Sequence, residues 1–104
     1  MPVFITLPTI YETQRRILFD LGRQKADQFL DHIYDGSVKI ERTFEEDEQN
    51  ARGLIKKYAD LELTLTDACN MTVMIRLGIA KVFSFDRHFP LVGFIRIPPF
   101  FMSR

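Results

Sequence analysis

Three acidic residues, Glu12, Asp67 and Asp86, are placed where they could act together. Glu12 follows an apolar run at residues 3–7, Asp86 follows another at 82–85, and Asp67 opens a helical pattern leading into the second run. Open parallel sheets bind ligands outside the carboxyl ends of their strands. Glu12 and Asp86 fall at that edge, and Asp67 could fold back toward it. Three carboxylates gathered there repel one another. At ~5 Å and an effective dielectric near 20, each pair costs roughly 3 kcal/mol. Such a cluster must protonate, spread apart or hold a cation. An all-oxygen donor set suits Mg²⁺ or Mn²⁺, with water completing the octahedron, and metal-bound water can attack phosphorus. Each acid also has a plainer use. Thr9 with Glu12, and Thr64 with Asp67, have the spacing of a capping box, and Asp86 can cap a turn at Arg87-His88-Phe89.

The elements that must position these acids follow from periodicity. Residues 3–7, apolar and β-branched, predict a buried strand ended by Pro8. A helix then runs from Thr9, with Ile17, Leu18 and Leu21 on one face and Gly22 after its end. A second helix is expected over 24–34 and an alternating strand over 37–42. Thr43 and Glu46 repeat the capping spacing before a helix over 44–58, whose acidic first turn, EEDE, reads as a solvated helix start. A further helix over 65–77 ends at Gly78, followed by strands at 82–85 and 93–97. Helices alternating with strands predict an α/β fold with a mostly parallel sheet covered on both faces. The apolar tail at 97–102 is either core packing or a contact surface.

Composition bounds the alternatives. With 104 residues and 46% apolar content the chain suffices for one domain with one core. Lys plus Arg balances Asp plus Glu at 14 each, which argues against nucleic-acid binding driven by bulk charge but allows a local basic patch. The lone Cys69 excludes an internal disulfide scaffold and a cysteine-rich zinc site, and a reducing cytoplasm is the simplest compartment. The N-terminal stretch lacks the features of a signal peptide, and no stretch reaches the ~18 apolar residues of a membrane helix.

The residues at 58–98, YADLELTLTDACNMTVMIRLGIAKVFSFDRHFPLVGFIRIP, closely resemble the C-terminal half of PIN domains, in particular VapC-type toxins and predicted RNA-binding PIN proteins of prokaryotes. The pattern is Tyr-x-Asp, then Leu-Thr-x-x-Asp-Ala opening a helix, Leu-Gly-Ile, Phe-Ser-Phe-Asp-Arg-His-Phe and a closing Gly-Phe strand. Upstream, ITLPTIYETQRRIL resembles the family's second strand running into a helix with an acid near its start, so the likeness covers nearly the whole chain. PIN domains are metal-dependent ribonucleases with a quartet of acids on a Rossmann-like sheet. The resemblance implies that Glu12, Asp67 and Asp86 are catalytic, metal-holding acids for Mg²⁺ or Mn²⁺. It also implies that Ser84 supports the last acid, and Asp60 matches an acid often found before the Leu-Thr motif. Arg87 and His88, with Arg15 and Arg16, could neutralise RNA phosphates.

One departure stands beside the match. The family's first acid ends an N-terminal strand in an Asp-Thr or Asp-Ser motif, and this chain begins at what resembles the second strand. The expected protein is a single PIN-like domain over residues 1–104, truncated at its N-terminus. A missing central strand would leave a gap of roughly 9–10 Å lined by unpaired backbone groups, which proteins rarely tolerate. The first and third strands are therefore expected either to close on each other or to be bridged by a second copy in a homodimer. Three functions follow. The chain is a Mg²⁺- or Mn²⁺-dependent endoribonuclease of the VapC toxin type, impaired by the absent acid. Alternatively it is a non-catalytic module binding RNA or an antitoxin-like protein, or a fragment of a longer PIN protein.

Overall fold

The structure is a computed structural model that describes residues 3–83 and 88–97. The element order is β1 (Phe4–Thr6), α1 (Leu7–Leu21), α2 (Arg23–Asp35), β2 (Lys39–Glu41), α3 (Glu45–Lys57), a 3₁₀ turn (Ala59–Leu61), α4 (Leu65–Leu77), β3 (Lys81–Phe83), α5 (His88–Val92) and β4 (Ile95–Ile97). Every strand pairing among the described residues is parallel, as the alternation of helices and strands requires. β1 pairs with β2, Phe4 opposite Lys39 and Thr6 opposite Glu41. β3 pairs with β4, Lys81 opposite Ile95 and Phe83 opposite Ile97. Among the described residues the strands form two two-stranded ladders, and the expected direct closure of the first strand on the third is not one of them. The chain gathers into two compact units, Met1–Glu45 and Glu46–Arg104.

In the first unit, α1 packs against α2 and follows β1 without a loop. Its start is earlier than the Thr9 spacing predicts. Thr6 is the N-cap, in extended backbone, and its hydroxyl oxygen accepts from the Thr9 amide at 3.4 Å. Pro8 falls at the second helical position, where a missing N–H costs nothing, so it opens the helix rather than merely ending the strand. α1 ends at Gly22, whose φ of +96° suits glycine and whose amide bonds the carbonyls of Ile17 and Leu18. The same glycine precedes Arg23, so a single residue turns α1 into α2. Ile10 on α1 and Ala26 on α2 are buried.

The second unit is organised on α4. A continuous patch of this helix is buried (Ala68, Cys69, Met71, Thr72, Val73 and Met74), so it lies inside its unit rather than on the surface. Its buried hydroxyl is satisfied, since Thr72 donates to the Ala68 carbonyl at 2.9 Å. Ala51 of α3 clusters with Ala68 and Cys69, small residues that let the two helices approach. Met71 and Met74 join Leu63 and Phe89 in the larger cluster, with Leu54, Ile55, Tyr58, Ile79, Val82 and Phe94 around it. Phe89 meets Phe94 edge-on at 6.1 Å between ring centres, which ties α5 to the approach to β4. α5 was not anticipated, because HFPLV is shorter than two turns and carries no legible helical period.

The acidic start of α3 corrects an expectation. Glu45, Glu46 and Glu48 are exposed, but Asp47 is only 2% exposed. Arg76 in the last turn of α4 grips it with two parallel bonds, Nε to Oδ1 and Nη2 to Oδ2, both 3.0 Å. EEDE is therefore a solvated run with one residue turned inward to a guanidinium. The tail at residues 98–104 lies outside the described residues.

Candidate functional site

Asp67 stands at the third position of α4. Thr64 is the N-cap, and its hydroxyl oxygen accepts from the Asp67 backbone N–H at 3.1 Å, so the cap predicted from spacing is formed. Asp67 is half-buried and supplies the acid of the first turn, where a carboxylate suits the positive end of the helix.

Glu12 differs from its expectation. Because α1 starts at Leu7, Glu12 is the sixth helical residue, beyond reach of a capping box. Thr9 takes the reciprocal place: Thr6 Oγ1 lies 2.9 Å from Thr9 Oγ1 as well as accepting from the Thr9 amide. The Glu12 carboxylate is exposed and takes part in no ion pair among the described residues. Glu12 lies in the first unit and Asp67 in the second.

Ser84, Asp86 and Arg87 lie outside the described residues. His88 opens α5 and is half-buried. Asp60 sits exposed in the 3₁₀ turn. Among the described residues no three His, Cys, Asp or Glu side chains are grouped to hold a metal ion. Glu12 and Asp67 offer hard oxygen donors, the chemistry a hydrated Mg²⁺ or Mn²⁺ prefers. Cys69 is not a competing nucleophile: burial, then the charges of Glu48 and Asp47, push its thiol above the ordinary 9.0.

Periodicity did not single out the outer face of α1. Tyr11, Arg15 and Phe19, four residues apart, are all exposed, Tyr11 at 65% and Phe19 at 70%. The Arg15 guanidinium lies 5.1 Å from the centre of the Phe19 ring. Arg16 beside them is paired with Asp20 at 3.0 Å. Reading the sequence for the buried stripe left Tyr11 and Phe19 as its remainder and named Arg15 only as a cation near phosphates; an aromatic–cation–aromatic spacing of four was the available signal.

The parallel α/β topology, with helices alternating with strands and Asp67 in the first turn of α4, is that of a PIN-domain type fold. That fold is the one seen in VapC20 of Mycobacterium tuberculosis, described as a sarcin–ricin loop cleaving toxin. Its crystal structure matches with a TM-score of 0.84 at 23% identity, over 91% of this chain and 74% of that one. No family model matches the sequence, and no curated protein does either. Among the described residues no helix is long and apolar enough to cross a membrane.

Proposed function

We propose that this chain is a metal-dependent endoribonuclease of the PIN/VapC toxin type, built as a single PIN-like domain. The observation that carries the reading is the fold shared with a sarcin–ricin loop cleaving toxin, with Asp67, one of the three predicted acids, half-buried on the first turn of α4. Glu12, Asp67 and Asp86 would hold Mg²⁺ or Mn²⁺, which supplies Lewis acidity toward the scissile phosphate and an acidified water. The chain's own contribution is positioning. The Thr64 cap fixes the backbone from which the Asp67 carboxylate projects. The α1 helix carries Glu12 free of any capping duty. Ser84 supports Asp86, and Arg87 and His88 take the flanking phosphates, as the family resemblance implies. The substrate is RNA and the setting cytoplasmic. The protein partners are an antitoxin-like chain and a second copy of this chain.

The test is cleavage of a structured RNA during Mg²⁺ and Mn²⁺ titrations, comparing the unchanged chain with Asp67→Asn and Asp86→Asn. Metal-dependent cleavage lost in both variants supports the nuclease. Cleavage that persists unchanged in them is contamination and refutes it. RNA binding without any cleavage favours the non-catalytic module.

A further inference from the structure

The outer face of α1 has chemistry that its own unit does not use. Ile10, Gln14 and Ile17 form the inward stripe, buried or half-buried. Tyr11, Arg15 and Phe19 form a second stripe that turns about 80° around the helix over its length. Two aromatic rings more than three-fifths exposed on one helix are a cost in water unless something covers them. Between them, among the described residues, Arg15 makes no ion pair, whereas Arg16 and Arg23 are matched with Asp20 and Asp27. Among the described residues its guanidinium meets only the Phe19 ring, which leaves the N–H groups for an anionic ligand. Glu12 borders the stripe three residues before Arg15, the spacing of neighbours on a helix surface.

We infer that the Tyr11–Arg15–Phe19 face of α1 is a track for single-stranded RNA, with bases stacked on Tyr11 and Phe19 and a phosphate held by Arg15. This rests on the ribonuclease reading and names how the substrate approaches one of its acids. The chemistry fits one occupant. Exposed aromatics alternating with an unmatched cation match a polyanion with flat, unpaired bases, and stacking of this kind tolerates any base. A purely apolar partner would have no use for the Arg15 charge at the centre. The length fits too. Eight residues of helix span about 12 Å, which corresponds to three or four nucleotides at the ~3.4 Å per phosphate of a stacked strand. Glu12 lies within that span, so a strand on this track passes beside the carboxylate. A duplex, whose bases are already stacked and paired, gains nothing from the rings.

Binding of a fluorescent single-stranded oligonucleotide, followed by anisotropy in EDTA so that no metal-dependent cleavage intervenes, tests the inference on the full chain. Tyr11→Leu and Phe19→Leu keep apolar bulk at exposed positions but remove the ring. Each is expected to weaken single-strand binding about 5- to 100-fold, to leave duplex binding unchanged and to leave the far-UV circular dichroism as it was. Tyr11→Phe and Phe19→Tyr should bind like the unchanged chain. Arg15→Gln should lower the slope of log affinity against log salt by about 0.7. If the leucine variants bind single strands as well as the unchanged chain, or lose duplex binding equally, the track is wrong and the nuclease reading stands. If they instead alter the oligomeric mass with RNA affinity intact, the face is a protein interface and the inference fails. If the unchanged chain binds no RNA at all, both fall together.

Discussion

Arg76 and Asp47 give the sharpest test of the packing argument. Asp47 is 2% exposed and both its carboxylate oxygens accept from Arg76 at 3.0 Å. Replacing Arg76 by Met keeps a long apolar stem in place but leaves a buried carboxylate without that two-pronged donor. Breaking a buried pair from one side costs about 3–5 kcal/mol. The Arg76 side chain is 30% exposed, so water reaches this pair from one side, and the expected loss is at the lower end, about 3 kcal/mol. A domain of this size has about 5–15 kcal/mol in total, so the loss is a large fraction of it. In urea, with a slope of about 1.5 kcal/mol per molar, the midpoint should fall by about 2 M. Arg76→Lys keeps the charge but not the fork and should fall between. The double variant Asp47→Leu/Arg76→Met removes charge from both sides and should recover to within about 1 kcal/mol of the parent, because well-packed apolar replacements of buried pairs are often neutral. The reasoning is refuted if Arg76→Met costs under about 1 kcal/mol, the value of an exposed pair, or if the double variant is simply additive.

Two other perturbations have definite signs. The Cys69 thiol is raised by burial and by Glu48 and Asp47, so the folded chain keeps a proton that the unfolded chain releases. Its contribution is full below the ordinary thiol value of 9.0 and is lost as pH rises through the higher folded value; unfolding free energy should therefore decline above about pH 9, less steeply in Cys69→Ala. Native Cys69 should also react slowly with a thiol reagent at pH 8 and quickly in urea. Gly78 closes α4 at φ +69°, with open space where a Cβ would sit. Gly78→Ala should cost about 1–2 kcal/mol from backbone strain alone, a drop of several degrees in thermal melting, while Glu62→Gly, at φ 54°, should be neutral or stabilising.

The sequence was most legible where one element answers to one local rule. α4 was bounded on both sides, by Thr64 as cap and Gly78 as left-handed stop, and the helix runs over Leu65–Leu77 as expected. α2 and α3 fell within a residue or so of their periodic stripes, Arg23–Asp35 and Glu45–Lys57. Parallel strands were legible from the helices between them. What was not legible depends on residues far apart in the chain. Asp47 looks like its acidic neighbours until Arg76, 29 residues on, turns toward it. The strand pairing is likewise a matter of tertiary partners: the first and third strands carry the right composition for a shared sheet, yet each pairs with a different neighbour. The acids of the candidate site were named by family pattern. Asp67 and Glu12 can be followed to their helices, whereas Asp86 and Ser84 lie outside the described residues.

The three Thr-x-x-acid spacings show why such a pattern cannot decide between capping and chemistry by itself. At Thr64 the cap forms, but the bond that forms it comes from the Asp67 amide and uses neither carboxylate oxygen. The structural and chemical readings of Asp67 are therefore compatible. At Thr9 the cap does not form, because Pro8 admits a helix start three residues earlier and Thr6 takes the capping role. Glu12 is thereby displaced to the sixth helical position and exposed, so the plainer explanation for its carboxylate is removed by a proline four residues before it. At Thr43 the helix begins at Glu45, and the acid that matters to the fold is Asp47, one residue beyond the pattern. Spacing locates where an acid can stand. Which of its atoms are engaged, and by what, is decided by the local start of the helix and by the cation that the rest of the unit brings to it.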